Sequence, residues 1–194
     1  MRAALFSVLI AVIALAHAAP HSQKSTVVNL RTQASPETCG DSADLVPLFL
    51  TYDTTQTVHL YTILDSQVTN AILQGVYTFN GVTAFIFPTL EPSTVPLFTF
   101  ANTRTSAFFY TTSANESSTA LAAGYIDNGV TGYIYPTQVC GSVPLYRAHF
   151  IGVNEDYIYT TSVAERDNAI VGQGFVDEGI AGYVMEVASG IIID

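Results

Sequence analysis

A chain of 194 residues, 49% hydrophobic and 11% charged, has the length of one ordinary domain. It carries enough apolar surface to offset chain entropy, which excludes a mainly disordered state. Sixteen acidic residues against six basic ones give a formal charge of -10, so nucleic acid and anionic lipid surfaces are excluded as default partners by repulsion.

Arg2 precedes an apolar run from Ala3 to Ala16, too short to span a bilayer comfortably, and the run ends in the small-residue pattern Ala16-His17-Ala18. This predicts a secretory signal peptide over 1–18, followed by a polar leader over 19–45 and a single domain over 46–194. The expected product is secreted and extracellular, with no membrane attachment once the signal is removed. Export to an oxidising compartment favours pairing of Cys39 with Cys140, the chain's two cysteines. Closing a loop of about 100 residues is worth about 4 to 5 kcal/mol in the loop-entropy model. The sequon Asn115-Glu116-Ser117 offers a glycosylation site in a eukaryotic host.

Self-comparison then organises the rest. Val46-Pro47-Leu48-Phe49 returns as Val95-Pro96-Leu97-Phe98 and as Val143-Pro144-Leu145-Tyr146. Tyr61-Thr62, Tyr110-Thr111 and Tyr159-Thr160 keep the same spacing, a period of roughly 49 residues, which lies in the range of propellers and arrays. The predicted repeats are 46–94, 95–142 and 143–187.

Each unit reads as strand, strand, short helix, strand, strand. Pro144 to Phe150 and Asp156 to Thr161 are rich in aromatic and β-branched residues, the composition of strands. Ser113 with Glu116 and Ser162 with Glu165 have capping-box spacing, in which hydroxyl and carboxylate each satisfy the other's free backbone donor; Asp65 is the weaker cap of the first helix. Gly75, Gly124 and Gly174 are the terminators. Phe79-Asn80-Gly81, Asp127-Asn128-Gly129 and Asp177-Glu178-Gly179 then read as hairpin turns, because such residues accept positive backbone dihedrals. Closing strands follow at Ala84 to Phe87, Gly132 to Tyr135 and Gly182 to Met185, and Ile191 to Ile193 offers a last one.

A unit this small cannot bury its own apolar face, so the three are expected to pack together. An open stack leaves two sticky edges. The expected fold is therefore mainly β with short helices, its three repeats closed into a pseudo-threefold ring, propeller-like or trefoil-like. Cys39 and Cys140 lie just before the first and third units, where a bond would tie their entries together.

The ordered combination Pro144-Leu145-Tyr146-Arg147, Tyr157-Ile158-Tyr159-Thr160, Ser162 to Arg166 and Gly174 to Tyr183 resembles the repeat of a secreted fungal and bacterial domain family of unknown function. That resemblance implies an extracellular location and company with polysaccharide-degrading or peptidase modules. It brings no catalytic residue. The family's Arg stands here as Arg147, with Leu50 and Thr99 in the other units; its His stands as His59, and its Glu as Glu178, opposite Asn80 and Asn128. Three sites built on these positions would not be equivalent.

Chemistry is sparse. His21, His59 and His149 form no zinc spacing and no nucleophile elbow. Asn154-Glu155-Asp156 and Asp177-Glu178 supply only part of a calcium shell, so no metal or cofactor is expected. The expected role is that of a non-catalytic, carbohydrate-binding, lectin-like module, because Tyr beside Asn, Asp or Arg suits the apolar faces and hydroxyls of sugars. A protein-interaction, structural or inhibitor-like role is the alternative, and a glycoside or peptide hydrolase using Asp177 and Glu178 comes last. The candidate ligand contacts are Arg147, Asp177, Glu178, Asp127, Asn128 and Asn80, and the partner is an extracellular glycan or protein. Tyr61, Tyr110 and Tyr159 are assigned to the core, with their hydroxyls bonded internally.

Overall fold

The computed structural model describes residues 38–187; the signal peptide, most of the polar leader, His21 and the Ile191 to Ile193 tail lie outside the described residues. Over the described residues the architecture is mainly β, with three short α-helices and three three-stranded antiparallel sheets. The first sheet holds β1 (Val46–Asp53), β2 (Val58–Thr62) and β3 (Tyr77–Ile86) in the order β2-β1-β3, with α1 (Asp65–Leu73) between β2 and β3. The second has β4 (Val95–Ala101), β5 (Phe108–Thr111), α2 (Ala114–Ala122) and β6 (Ile126–Ile134). The third has β7 (Val143–Phe150), β8 (Asp156–Thr160), α3 (Val163–Gln173) and β9 (Val176–Val184). Strand order is the same in all three, with the first strand central.

The expected hairpin turns are corrected. Asn80-Gly81, Asn128-Gly129 and Glu178-Gly179 sit inside β3, β6 and β9, each a single strand of nine or ten residues rather than two. Leu50 pairs with Gly81 while Thr51 pairs with Phe79, so Asn80 is an extra residue in the ladder. The glycine takes φ 109° at Gly81, 86° at Gly129 and 79° at Gly179, a left-handed conformation that serves a β-bulge as well as a turn. Amides freed by the bulge find local acceptors: Gly129 N–H donates to Asp127 Oδ1 at 2.8 Å and Gly179 N–H to Asp177 Oδ1 at 2.9 Å.

Helix starts also differ from expectation in half of their chemistry. Ser113 and Ser162 accept from the Glu116 and Glu165 amides at 3.3 and 3.2 Å, as a capping box requires. The glutamate carboxylates do not return to the serine amides. Those amides donate to Thr111 and Thr160 Oγ1, and the threonine hydroxyls donate on to Glu116 and Glu165. Leu64, not Asp65, is the N-cap of α1, and it has no side-chain cap; Asp65 Oδ1 accepts from Ser66 N–H instead.

The core gathers where the sheets meet. Tyr61, Tyr110 and Tyr159 are fully buried and pack edge to face with centroids 5.2–5.7 Å apart. Tyr110 Oη donates to the Tyr61 carbonyl at 2.7 Å and accepts from Tyr61 N–H at 2.9 Å. Tyr159 Oη does the same to Tyr110, at 2.8 and 2.7 Å, and Tyr159 N–H donates to Tyr61 Oη at 2.9 Å. Each of these three phenols thereby meets the backbone of another sheet, so none of the three is left as a costly orphan. Short antiparallel bridges join Phe85 to Met185, Phe87 to Tyr133 and Tyr135 to Tyr183. Gly132 is required beside one of them, since a Cβ there would lie 2.8 Å from the Phe87 carbonyl oxygen. The expected disulfide is present: Cys39 bonds Cys140 across a sequence separation of 101, joining the segment before β1 to the β6–β7 connection.

Candidate functional site

Two residues apart on β7, Arg147 and His149 point to one face of the third sheet. Across the ladder His149 stands opposite Tyr157 of β8, and their rings stack at 4.0 Å and 8°. The bulge in β9 brings Glu178 to the same face, and Glu155 precedes β8. The second sheet supplies the facing wall: Phe109 of β5, Tyr125 after α2, and Asn115, Glu116, Thr119, Ala120 and Ala123 along the helix. Between the walls lies a cavity of about 380 Å³.

Charge is tightly organised there. Arg147, 6% exposed, places Nη1 and Nη2 3.0 and 2.7 Å from the two oxygens of Glu116, a bidentate pair, and its Cζ lies 5.0 Å from the Phe109 centroid. Its Nε lies 2.7 Å from Glu178 Oε2 but off the N–H line, so this contact is an ion pair rather than a hydrogen bond. His149 completes the chain, with Nδ1 3.1 Å from Glu178 Oε1 and Nε2 3.1 Å from Glu155 Oε1. Glu155 Oε2 accepts from Asn102 Nδ2 and Thr105 Oγ1.

A carboxylate only accepts, so an imidazole between two of them is best matched when both nitrogens carry protons. Burial pushes the His149 pKa down, but bonding to Glu178 and Glu155 outweighs it and holds the group above its ordinary value. The Arg147 guanidinium lowers the Glu116 pKa against the opposing effect of burial. For Glu155, burial raises the pKa, and hydrogen bonds from Tyr125, Thr105, Asn102 and His149 more than reverse that. Burial pushes Tyr125 up to about 12 and Tyr157 higher still, so both stay neutral phenols; their oxygens lie 3.4 Å apart.

Of the sequence-predicted contacts, Arg147 and Glu178 meet in this cavity. Asn128 lines a separate cleft of about 180 Å³ with Leu60, Gln67, Thr99 and Phe108. Asn80 lines another, of about 250 Å³, with Leu50, Thr160 and Glu165. Asp127 and Asp177 are exposed and engaged with their own bulge glycines. The structure therefore does not bring the six together. Asn115 is exposed in the first turn of α2, at the cavity wall.

Glu116, His149, Glu155, Phe109, Tyr125 and Tyr157 were not among the predicted contacts. Strand period alone could have grouped Arg147 with His149. Nothing local could have brought Glu116 to them, because its local signal is that of a helix cap. Among the described residues, no group of three His, Cys, Asp or Glu side chains is arranged to hold a metal ion. The arrangement offers instead an aromatic-walled recess with a fixed polar floor, suited to holding a small polar molecule.

No curated protein and no solved structure matches the chain. A family model described as a domain of unknown function, DUF5648, matches residues 47–185, a span that takes in every residue lining the cavity. The chain belongs to that family.

Proposed function

We propose that this chain is a secreted, non-catalytic carbohydrate-binding protein whose sugar site is the cavity between the second and third sheets. The observation that carries this reading is the cavity itself: Phe109, Tyr125 and Tyr157 line it with aromatic carbon, while Glu116, Glu155, Glu178, Arg147 and His149 fix the direction of hydrogen bonds. Its volume of about 380 Å³ matches a short saccharide better than a polymer. Its charged groups are paired with one another, which favours binding over hydrolysis, because a glycosidase needs one carboxyl kept protonated as its acid.

Secretion is supported by the N-terminal pattern up to Ala18 and by the disulfide. Three repeats closed into a pseudo-threefold ring are supported by the common strand order, by the tyrosine bonds from Tyr61 through Tyr110 to Tyr159 and back, and by the bridges among residues 85–87, 133–135 and 183–185. In that ring the three clefts are related positions with diverged contents, and the protein is functionally monovalent at the charged one. Nucleic acid and membranes are not partners in this reading.

A protein-interaction role is favoured by one feature, the β7–β8 hairpin tip, where Ile151 and Val153 are 71% and 93% exposed. A glycan array with the oxidised protein separates the two. The expected result is retention on at least one glycan, lost in Thr119→Trp, which blocks the cavity from the exposed face of α2, and kept in Val153→Asp. Absence of retention on every glycan ends the carbohydrate reading.

A further inference from the structure

Hydrogen-bonding capacity in the cavity is lopsided. Glu116, Glu155 and Glu178 bring three carboxylates, and each oxygen can accept more than one hydrogen bond. The cations already face carboxylates: Arg147 donates to Glu116 through both terminal nitrogens and meets Glu178 as an ion pair, and both nitrogens of His149 meet Glu178 and Glu155. With Arg147 and a protonated His149 set against three carboxylates, the walls still carry net negative charge. Lone pairs remain on Glu155 Oε1 and Glu178 Oε1, each of which meets one His149 nitrogen. A ligand bearing carboxylate, sulfate or phosphate would meet acceptors and like charge; one bearing N–H groups and positive charge would meet partners. The chain's formal charge of -10 adds a field of the same sign.

We propose that the cavity selects a cationic sugar, a glucosamine-type residue with a free ammonium group, over N-acetylated and acidic sugars. The sugar ring packs against the aromatic wall at Tyr125, and the ammonium group lies against Glu155 and Glu178. This specificity rests on the carbohydrate reading of the same site, and it adds the charge of the ligand.

The test is calorimetric titration of the disulfide-bonded protein, at physiological salt and mildly acidic pH, with short β-1,4 oligomers of glucosamine and of N-acetylglucosamine and with oligogalacturonate. The glucosamine oligomer should bind at least about tenfold tighter than its N-acetylated counterpart, the scale of one charge-assisted hydrogen bond. Oligogalacturonate should not bind. Glu155→Gln should weaken the glucosamine oligomer by about tenfold. Thr119→Lys, at an exposed cavity-lining position, should weaken it too without touching the buried network. Asp167→Asn, outside the cavity and 55% exposed at its side chain, should leave it unchanged. Equal or tighter binding of the N-acetylated or acidic oligomer overturns the charge selectivity while leaving a sugar site standing. So does a loss in Asp167→Asn matching that in Thr119→Lys, which marks diffuse surface attraction. Binding of none of the three probes, with no glycan retained on the array, removes both readings.

Discussion

The cleft between the first and second sheets and the cavity between the second and third are built on one frame and filled with different chemistry. In both, a threonine that follows a core tyrosine holds the residue at the third helical position: Thr62 Oγ1 donates to Gln67 Oε1 at 2.5 Å, and Thr111 to Glu116. Where the cavity has Glu116, Arg147 and Glu178, the first cleft has Gln67, Thr99 and Asn128. Thr99 there bonds Thr131 instead of reaching across. The frame is held by hydrogen bonds to backbone and by the buried phenols, so it tolerates exchange at these three positions. The third cleft keeps Glu165 with Leu50 and Asn80, so a glutamate at the helix position stands without the other two; it is the buried guanidinium of Arg147 that requires carboxylate partners.

Several changes would break or sharpen this contrast. Replacing Cys39 and Cys140 by serine strikes what both clefts share; removal of the 101-residue loop constraint should cost about 4 to 5 kcal/mol in urea unfolding, with both clefts lost in a single transition. Arg147→Leu, which installs the residue found at Leu50, strikes the cavity alone. It leaves Glu116 without its cation and Glu178 with His149 alone, and because the Glu116 side chain is 40% exposed it should cost about 1 to 2 kcal/mol. Adding Glu116→Gln and Glu178→Asn to that variant rebuilds the neutral cleft and should recover most of the loss; a triple variant no more stable than Arg147→Leu would show that the two regions do not share a frame.

Acidity sharpens the same contrast with a smaller effect. The His149 pKa is raised in the folded state, so its contribution is fully present below the ordinary value of 6.5 and is lost as pH rises through the raised folded value. Glu116 and Glu155 are lowered, so theirs is present above the ordinary value of 4.5 and is lost as pH falls through the lowered folded values. The urea midpoint should therefore decline on both sides of mildly acidic pH, and His149→Gln should remove the decline on the alkaline side. Thr99→Val in the neutral cleft should change stability by about 1 kcal/mol or less, with no dependence on pH.

Much of the frame was legible along the chain because its determinants are local. Serine caps, glycine terminators and alternating aromatic strands act within a few residues, and the cysteine pairing followed from an even count and an expected export. The buried tyrosines were legible as core from their regular recurrence. Bulges were not distinguishable from turns, since Asn80-Gly81 and its counterparts have the same preferences in either setting, and the partner strand decides. The site was the least legible part. Arg147 stood out as the arginine that replaces Leu50 and Thr99 of the other units, but its partner Glu116 lies 31 residues away on another sheet's helix, carrying the signature of a cap. His149 offered only its two-residue spacing from Arg147; Tyr157, Glu155 and Glu178, which surround it, come from other segments.

The phenols of Tyr61, Tyr110 and Tyr159 have a spectroscopic consequence. Burial holds all three above the usual tyrosine range, and the Tyr110 and Tyr159 oxygens must keep their protons to go on donating to the Tyr61 and Tyr110 carbonyls. Alkali is therefore expected to ionise them only as the centre of the molecule opens. Their phenolate absorbance emerges as a concerted step coincident with loss of native circular dichroism, so a simple ultraviolet titration doubles as a gauge of whether the centre of the molecule is intact.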